Sequence, residues 1–284
     1  MLRVSYSRIK AAFGCPRAFR YAYIDGLHSP EEGNSLLRGK AVHKTISKFL
    51  THKLAGLDFR QSIDLATKET GSTLDAVGGK GGPEEAINIC ESVAYRLFPY
   101  HVSSTEEGIS VYTTLFGIDC HIWIIPDVII EKDGRIWIGE IKTTKRYDPR
   151  IQRLYFNEPQ PWFYAHVWEL ANGVPHGTIA GTILFVGTPK ECFVEEIPST
   201  IVQRHIAKEF LEAGVKELTG RFSGNSLPHR IRCLTTFGEC AYMPLCSAMM
   251  NPAYYDDLLR SLYTQSDPDA RWPAIVEVAE RRST

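Results

Sequence analysis

Apolar positions change their spacing along the chain, and the changes mark out its elements. Up to about residue 100 they recur every three or four positions, as on one face of a helix. "SYSRIKAAFGCPRAFRYAYIDGL" divides into two short helices. Ser5 or Ser7 caps the first, Gly14 interrupts it, and Pro16 suits the first turn of the second. Cys15 is left at the junction, where a side chain can point away from both helices. "NSLLRGKAVHKTISKFL" predicts a third helix, with Leu36, Gly39, His43 and Ile46 near one face. Further helical stretches cover about 61–76 and 83–100, the second opening on Pro83-Glu84-Glu85.

The pattern then turns to strands. "ISVYTTLFGI", "CHIWIIPDVIIE" and "RIWIGEIKTT" are rich in β-branched and aromatic residues. A helix at about 160–171 stops at Asn172-Gly173, strands fit "GTIAGTILFVG" and "CFVEEI", and a long helix fits about 199–219. A cysteine-bearing segment and a helical tail over 251–284 follow, with no internal repeat. This order predicts an α/β fold: a central mixed sheet with an antiparallel hairpin, flanked by helices, in a single domain over 1–284.

Composition narrows the function classes only a little. At 44 % hydrophobic and 23 % charged residues the chain reads as an ordinary globular protein. The formal net charge of -1 does not exclude nucleic acid, because a local basic groove can sit on a neutral protein. No run of about 18 apolar residues is present, so no membrane span is expected. "MLRVSYSRIK" lacks the apolar core of a signal peptide, and a cytoplasmic location is expected. Seven cysteines in such a compartment point to a metal or cluster rather than to disulfides. Cys233, Cys240 and Cys246 fall within "CLTTFGECAYMPLC", whereas a closed sulfur site needs four ligands. Cys90, Cys120 and Cys192 read as ordinary buried residues.

The most informative stretch is "IPDVIIEKDGRIWIGEIKTT". Asp133-Gly134 favours a type I′ turn, which sets Lys132 opposite Arg135 and Asp127 opposite Glu140. Lys142 shares their face. Two carboxylates directly paired repel each other, and a divalent cation between them removes that objection. Such an ion lowers the pKa of a water and offsets charge developing on a phosphate, while Lys142 orients or deprotonates that water. Ile125, Ile129, Ile136 and Ile138 flank the charges on the same face, so the cluster is expected to be partly buried and to need a partner.

Pro126-Asp127, twelve residues, then Glu140-Ile141-Lys142 resembles the signature of the PD-(D/E)XK nuclease superfamily. Other landmarks follow in that family's order. "GKAVH", ending at His43, resembles the helical histidine motif of the RecB-like branch, and "QPWFY" its Gln-x-x-x-Tyr motif. Cys15-Pro16 with three late cysteines resembles the iron–sulfur subgroup, which includes the AddB nuclease domain and the RecB-like exonucleases of CRISPR adaptation and phages. The landmarks span roughly residues 5–246.

The resemblance implies a restriction-endonuclease-like fold with a helical cluster-binding region, in which N-terminal helices over 5–55 and a segment over 225–250 are joined by the cluster. It implies that Asp127 and Glu140 bind Mg²⁺ or Mn²⁺, with His43 and the Ile141 carbonyl completing the inner shell. Lys142 acts on the water, and Gln160 and Tyr164 position DNA. It supplies Cys15 as the fourth ligand beside Cys233, Cys240 and Cys246, for a [4Fe–4S] cluster; four cysteines also suit Zn²⁺. The implied activity is a DNA exonuclease on single-stranded or end-containing DNA, with recombination or CRISPR-adaptation partners. Two other classes stand beside it: a DNA-binding protein without turnover, and a recombination or integration accessory that trims DNA only within a complex. Lys10, Arg17, Arg20, Lys145, Arg146, Arg150 and Arg153 could meet DNA, Lys145 and Arg146 being nearest the hairpin. Phe19, Tyr21 and Tyr23 are read as a packed helix rather than a base-stacking surface.

Overall fold

The computed structural model describes residues 1–28, 34–78, 82–106, 108–150, 153, 157–221, 234–235, 238–248 and 251–270. The chain begins β1 (Leu2–Val4), α1 (Tyr6–Gly14), α2 (Pro16–Tyr23), β2 (Leu27–His28), α3 (Asn34–Leu54), α4 (Phe59–Glu69), α5 (Gly71–Asp75) and α6 (Gly82–Leu97). Strands β3 (His101–Thr105), β4 (Ile109–Leu115), β5 (Ile118–Ile124), β6 (Val128–Lys132) and β7 (Arg135–Thr143) follow. Then come α7 (Pro159–Asn172), β8 (Gly181–Gly187), β9 (Cys192–Pro198) and α8 (Ile201–Arg221). Last are β10 (Leu234–Thr235), β11 (Gly238–Glu239), α9 (Met243–Ala248), α10 (Pro252–Leu262) and β12 (Thr264–Gln265). Among the described residues no helix is long and apolar enough to cross a membrane.

The chain divides into two compact units, the first comprising Met1–Tyr6 and Glu32–Val215. Its centre is a five-stranded mixed sheet in the order β3-β6-β7-β8-β9. Only the β7–β8 pair is parallel, and α7 makes that crossover. Strand β8 is buried along its whole length, which is why its sequence is a continuous apolar run rather than an alternation. Alternate residues of the hairpin strands serve two cores. Val128, Ile130, Trp137 and Ile141 pack with Ala41, Val42, Ile46 and Ile89 of α3 and α6. Ile129 and Ile138 pack with Ala165 of α7 and with Ile179.

The Asp-Gly turn behaves as its residues predict. Asp133 and Gly134 both take positive φ, 53° and 68°, and Lys132 pairs with Arg135. One expected strand does not exist as a unit. The apolar run through "CHIWIIPDVIIE" divides into β5 and β6, and β5 belongs to a separate three-stranded sheet, β1-β5-β4. Pro126 lies in the break, where the missing N–H would otherwise leave a gap in the ladder. The helix expected over 61–76 also divides, at Thr70. There the Thr70 hydroxyl bonds Ala66 O at 2.8 Å and meets the Thr45 hydroxyl at 2.7 Å.

The second unit comprises Ser7–Glu31 and Lys216–Thr284. Tyr21 and Leu27 from the first stretch share a core with Leu245 and Tyr263 from the second, and β2 pairs antiparallel with β12. The Tyr242 hydroxyl donates to Leu27 O at 2.8 Å, and Arg8 pairs with Asp269 at 2.6 Å. Phe19 and Tyr21 are buried, in keeping with a packed helix rather than a stacking surface. Of the helices over 5–55, α1 beyond Tyr6 and α2 lie in this unit and α3 in the first.

Candidate active site

The break between β5 and β6 shapes the hairpin site. The β6–β7 ladder ends at Val128–Gly139, so Asp127 is not a ladder partner of Glu140, as simple extension of the register had required. Asp127 sits in a bend held at its carbonyl, which accepts from Glu106 N at 3.2 Å and from Thr105 Oγ1 at 3.3 Å. Its carboxylate reaches across to β7, where Oδ2 accepts from Ile141 N at 2.7 Å. Oδ1 lies 3.1 Å from Nδ1 of His43 on α3. Four residues far apart in sequence, His43, Asp127, Glu140 and Lys142, therefore converge at the end of the hairpin away from its turn.

Glu140 is the buried member, 1 % exposed. Its Oε1 forms an ion pair with Lys142 Nζ. Its Oε2 is sealed from solvent and has no hydrogen-bond partner among the described residues. An unpaired buried carboxylate oxygen is expensive. Burial, and then the neighbouring Asp127 charge, push the Glu140 carboxyl well above its ordinary range, although Lys142 opposes the shift. At His43 burial disfavours the charged ring, but the Asp127 carboxylate outweighs it and pushes the pKa up to about 9. The His43 proton thus stands where cationic charge is wanted. Two carboxylates, one of them with an orphaned buried oxygen, and an imidazole form a donor set that fits a divalent ion.

Of the other residues singled out in the sequence, Gln160 and Tyr164 lie one turn apart on α7, and the Gln160 amide donates to the Tyr164 hydroxyl at 3.3 Å. Burial, then the Glu140 charge, push the Tyr164 hydroxyl up, which brings this pair within electrostatic reach of the carboxylates. Ile136 and Tyr164 pack beside Ile129 and Ile138, whereas Ile125 is 39 % exposed and does not join that face. Gly39 faces Thr143, yet a Cβ there would meet Oγ1 at an ordinary 3.7 Å, so close approach does not require the glycine. His121, which uninterrupted alternation would place with Asp127, belongs to the other sheet, bonded to Ser110 Oγ at 3.0 Å and stacked on Tyr112. Arg150 is engaged by Asp148 at 2.6 Å, while Lys145 and Arg146 are exposed.

Sequence reasoning missed Glu106. It holds φ 43°, uncommon for a residue with a side chain, and burial pushes its carboxyl above the usual range. It lies within electrostatic reach of both His43 and Asp127. No spacing in the sequence marks it, because its placement depends on the end of β3 pairing with the start of β6.

Cys15, Cys240 and Cys246 all lie in the second unit and are half-buried. Burial raises the Cys246 thiol, Arg17 opposes that shift, and Cys240 and Cys15 act on it electrostatically. Cys233 lies outside the described residues. Cys90, Cys120 and Cys192 are buried in the first unit, and burial pushes Cys90 and Cys192 to about 12, where thiols are inert.

The model of the PD-(D/E)XK nuclease superfamily matches residues 3–247, and the chain belongs to that superfamily. A candidate exonuclease from Eubacterium rectale has a similar structure, with TM-score 0.51 and 16 % identity over 86 % of each chain. The crystal structure of SSO0001 is a more distant match, with TM-score 0.40 and 16 % identity over 89 % of this chain and 86 % of that one. No curated protein resembles the chain closely enough to match.

Proposed function

We propose that the protein is a divalent-metal-dependent deoxyribonuclease that removes nucleotides from single-stranded DNA or from DNA ends. The observation that carries this reading is the sealed, unpartnered Oε2 of Glu140, set among Asp127, His43 and Lys142 in a chain of the nuclease superfamily. Asp127, Glu140, His43 and the Ile141 carbonyl would hold Mg²⁺ or Mn²⁺. A bound ion there supplies Lewis acidity, lowering the pKa of water and offsetting charge on the phosphate. Lys142, already paired with Glu140, holds the attacking water and orients its lone pair toward phosphorus. The water oxygen bonds to phosphorus as the bond to the leaving sugar oxygen breaks; the water gives up a proton to solvent, and the leaving oxygen takes one from solvent. Gln160 and Tyr164 position the DNA strand, and the exposed Lys145 and Arg146 meet its phosphates.

The same reading assigns Cys15, Cys233, Cys240 and Cys246 to a structural [4Fe–4S] cluster, with Zn²⁺ as the alternative occupant. It is supported by three of the four lying in one compact unit and by the electrostatic effect of Cys15 and Cys240 on the Cys246 thiol.

Purified protein given 5′- or 3′-labelled single and double strands, with Mn²⁺, is expected to shorten linear strands progressively from an end. Covalently closed single-stranded circles should stay intact. Rapid cutting of the circles would overturn the exonuclease assignment while leaving the nuclease one standing.

A further inference from the structure

The end of α7 and the loop into β8 gather a second set of ligand-type side chains that the hairpin chemistry does not use. His166 and Glu169 are three residues apart on α7 and share one face. Gly173 ends that helix in the left-handed region, φ 62°, and the chain doubles back to bring His176 to Glu169. One ligand atom from each of His166, Glu169 and His176 lies within 4.8 Å of the other two. The two imidazole rings stand edge to face, with centroids 5.0 Å apart.

The arrangement is built rather than incidental. Glu169 is 4 % exposed, and its Oε1 accepts from Gly177 N and Ile179 N, both at 2.9 Å. Val174 N donates to the Glu169 carbonyl at 3.1 Å, and Thr178 turns back onto Pro175 O through both its N–H and its hydroxyl. Glu169 Oε2 is left for His176, whose Nδ1 lies 2.9 Å away. A loop clasp needs only the Oε1 contacts. It does not account for a second histidine on the same carboxylate. Nor does it account for Nδ1 of His166, which is sealed from solvent with no hydrogen-bond partner among the described residues. Burial, reinforced by His176, holds the His166 ring below its ordinary pKa.

We propose that His166, Glu169 and His176 form a second metal site, for a borderline divalent transition ion such as Zn²⁺, which fastens the end of α7 to the loop before β8. Two imidazoles and one carboxylate suit Zn²⁺, Co²⁺ or Ni²⁺, whereas Mg²⁺ and Ca²⁺ prefer an all-oxygen shell. Three protein ligands leave a fourth position for water. Lys208 and Glu212 of α8 act on His166 from the neighbouring helix and pair with each other at 3.9 Å, so they add no net charge. When the ion enters, the hydrogen bond between His176 and Glu169 is given up, and the proton it used moves to the other ring nitrogen or to solvent.

The test is the Zn²⁺ stoichiometry of full-length protein stripped with EDTA and re-equilibrated with Zn²⁺, compared with the His166→Ala/His176→Ala double variant. The hairpin and the cysteines contribute equally to both, so the difference isolates this site. The wild type is expected to hold one equivalent more than the variant, and anomalous diffraction from Zn²⁺-soaked wild-type crystals to place a peak among the three side chains. Equal stoichiometry in a folded variant, or no peak at the triad, overturns the site. If the double variant does not fold, the wild-type anomalous map decides alone.

Discussion

Lys142→Ala protein is expected to cleave DNA about 10²–10⁴-fold more slowly than wild type, the order of loss when a group acting on the attacking water is removed. Its fold should survive, because β7 is held to β8 through backbone pairing, Lys142 opposite Val186, and the side chain is partly exposed at the strand end. The substitution does strip Glu140 of its ion-pair partner, and a buried charge left alone is destabilising. The comparison is therefore made with the divalent ion present, where the proposed metal would leave Glu140 a cation. Single-turnover cleavage, circular dichroism and DNA affinity in Ca²⁺ separate chemistry from folding and binding. A wild-type rate in folded Lys142→Ala protein would remove the lysine from the mechanism.

Cys15→Ala is expected to be equally decisive at the other site. Anaerobically purified wild type should be brown and carry roughly four irons per chain, and the variant should lose that iron. It should also unfold at lower denaturant, because the proposed ligand set would close a loop of more than 200 residues whose release enlarges the unfolded ensemble. Cys90→Ala is the control: that thiol is buried in the core of the first unit, so its loss should leave the iron in place. Full iron content in Cys15→Ala would mean another residue closes the site. One zinc and no iron in anaerobic wild type would replace the cluster with a zinc centre.

Local chemistry was the legible part of the sequence. Asp133-Gly134 fixes the turn and the β6–β7 register, and Asn172-Gly173 ends α7, because both depend on backbone preferences a few residues wide. The spacing of Asp127, Glu140 and Lys142 could be read for the same reason. What escaped was decided by distant partners. The hydrophobic run through Pro126 reads as one strand, but pairing of its first half with β1 and β4 draws it into another sheet and carries His121 away from Asp127. The same break moves Asp127 out of the ladder, so it meets β7 through a side-chain bond to Ile141 N rather than by facing Glu140. His166 and Glu169 stand at a visible i, i+3 spacing, yet His176 joins them only through the return of the loop. Glu106 likewise comes within electrostatic reach of His43 only once β3 has paired with β6.

The central claim, that a metal held at Asp127 and Glu140 cleaves the phosphodiester, is tested most directly by cleavage rate against Mn²⁺ concentration for wild type and Asp127→Ala. Wild type should be silent in excess EDTA, recover when Mn²⁺ exceeds the chelator, and rise to saturation, while folded Asp127→Ala stays near background throughout. A full wild-type rate in EDTA, or a wild-type response from Asp127→Ala, would contradict it.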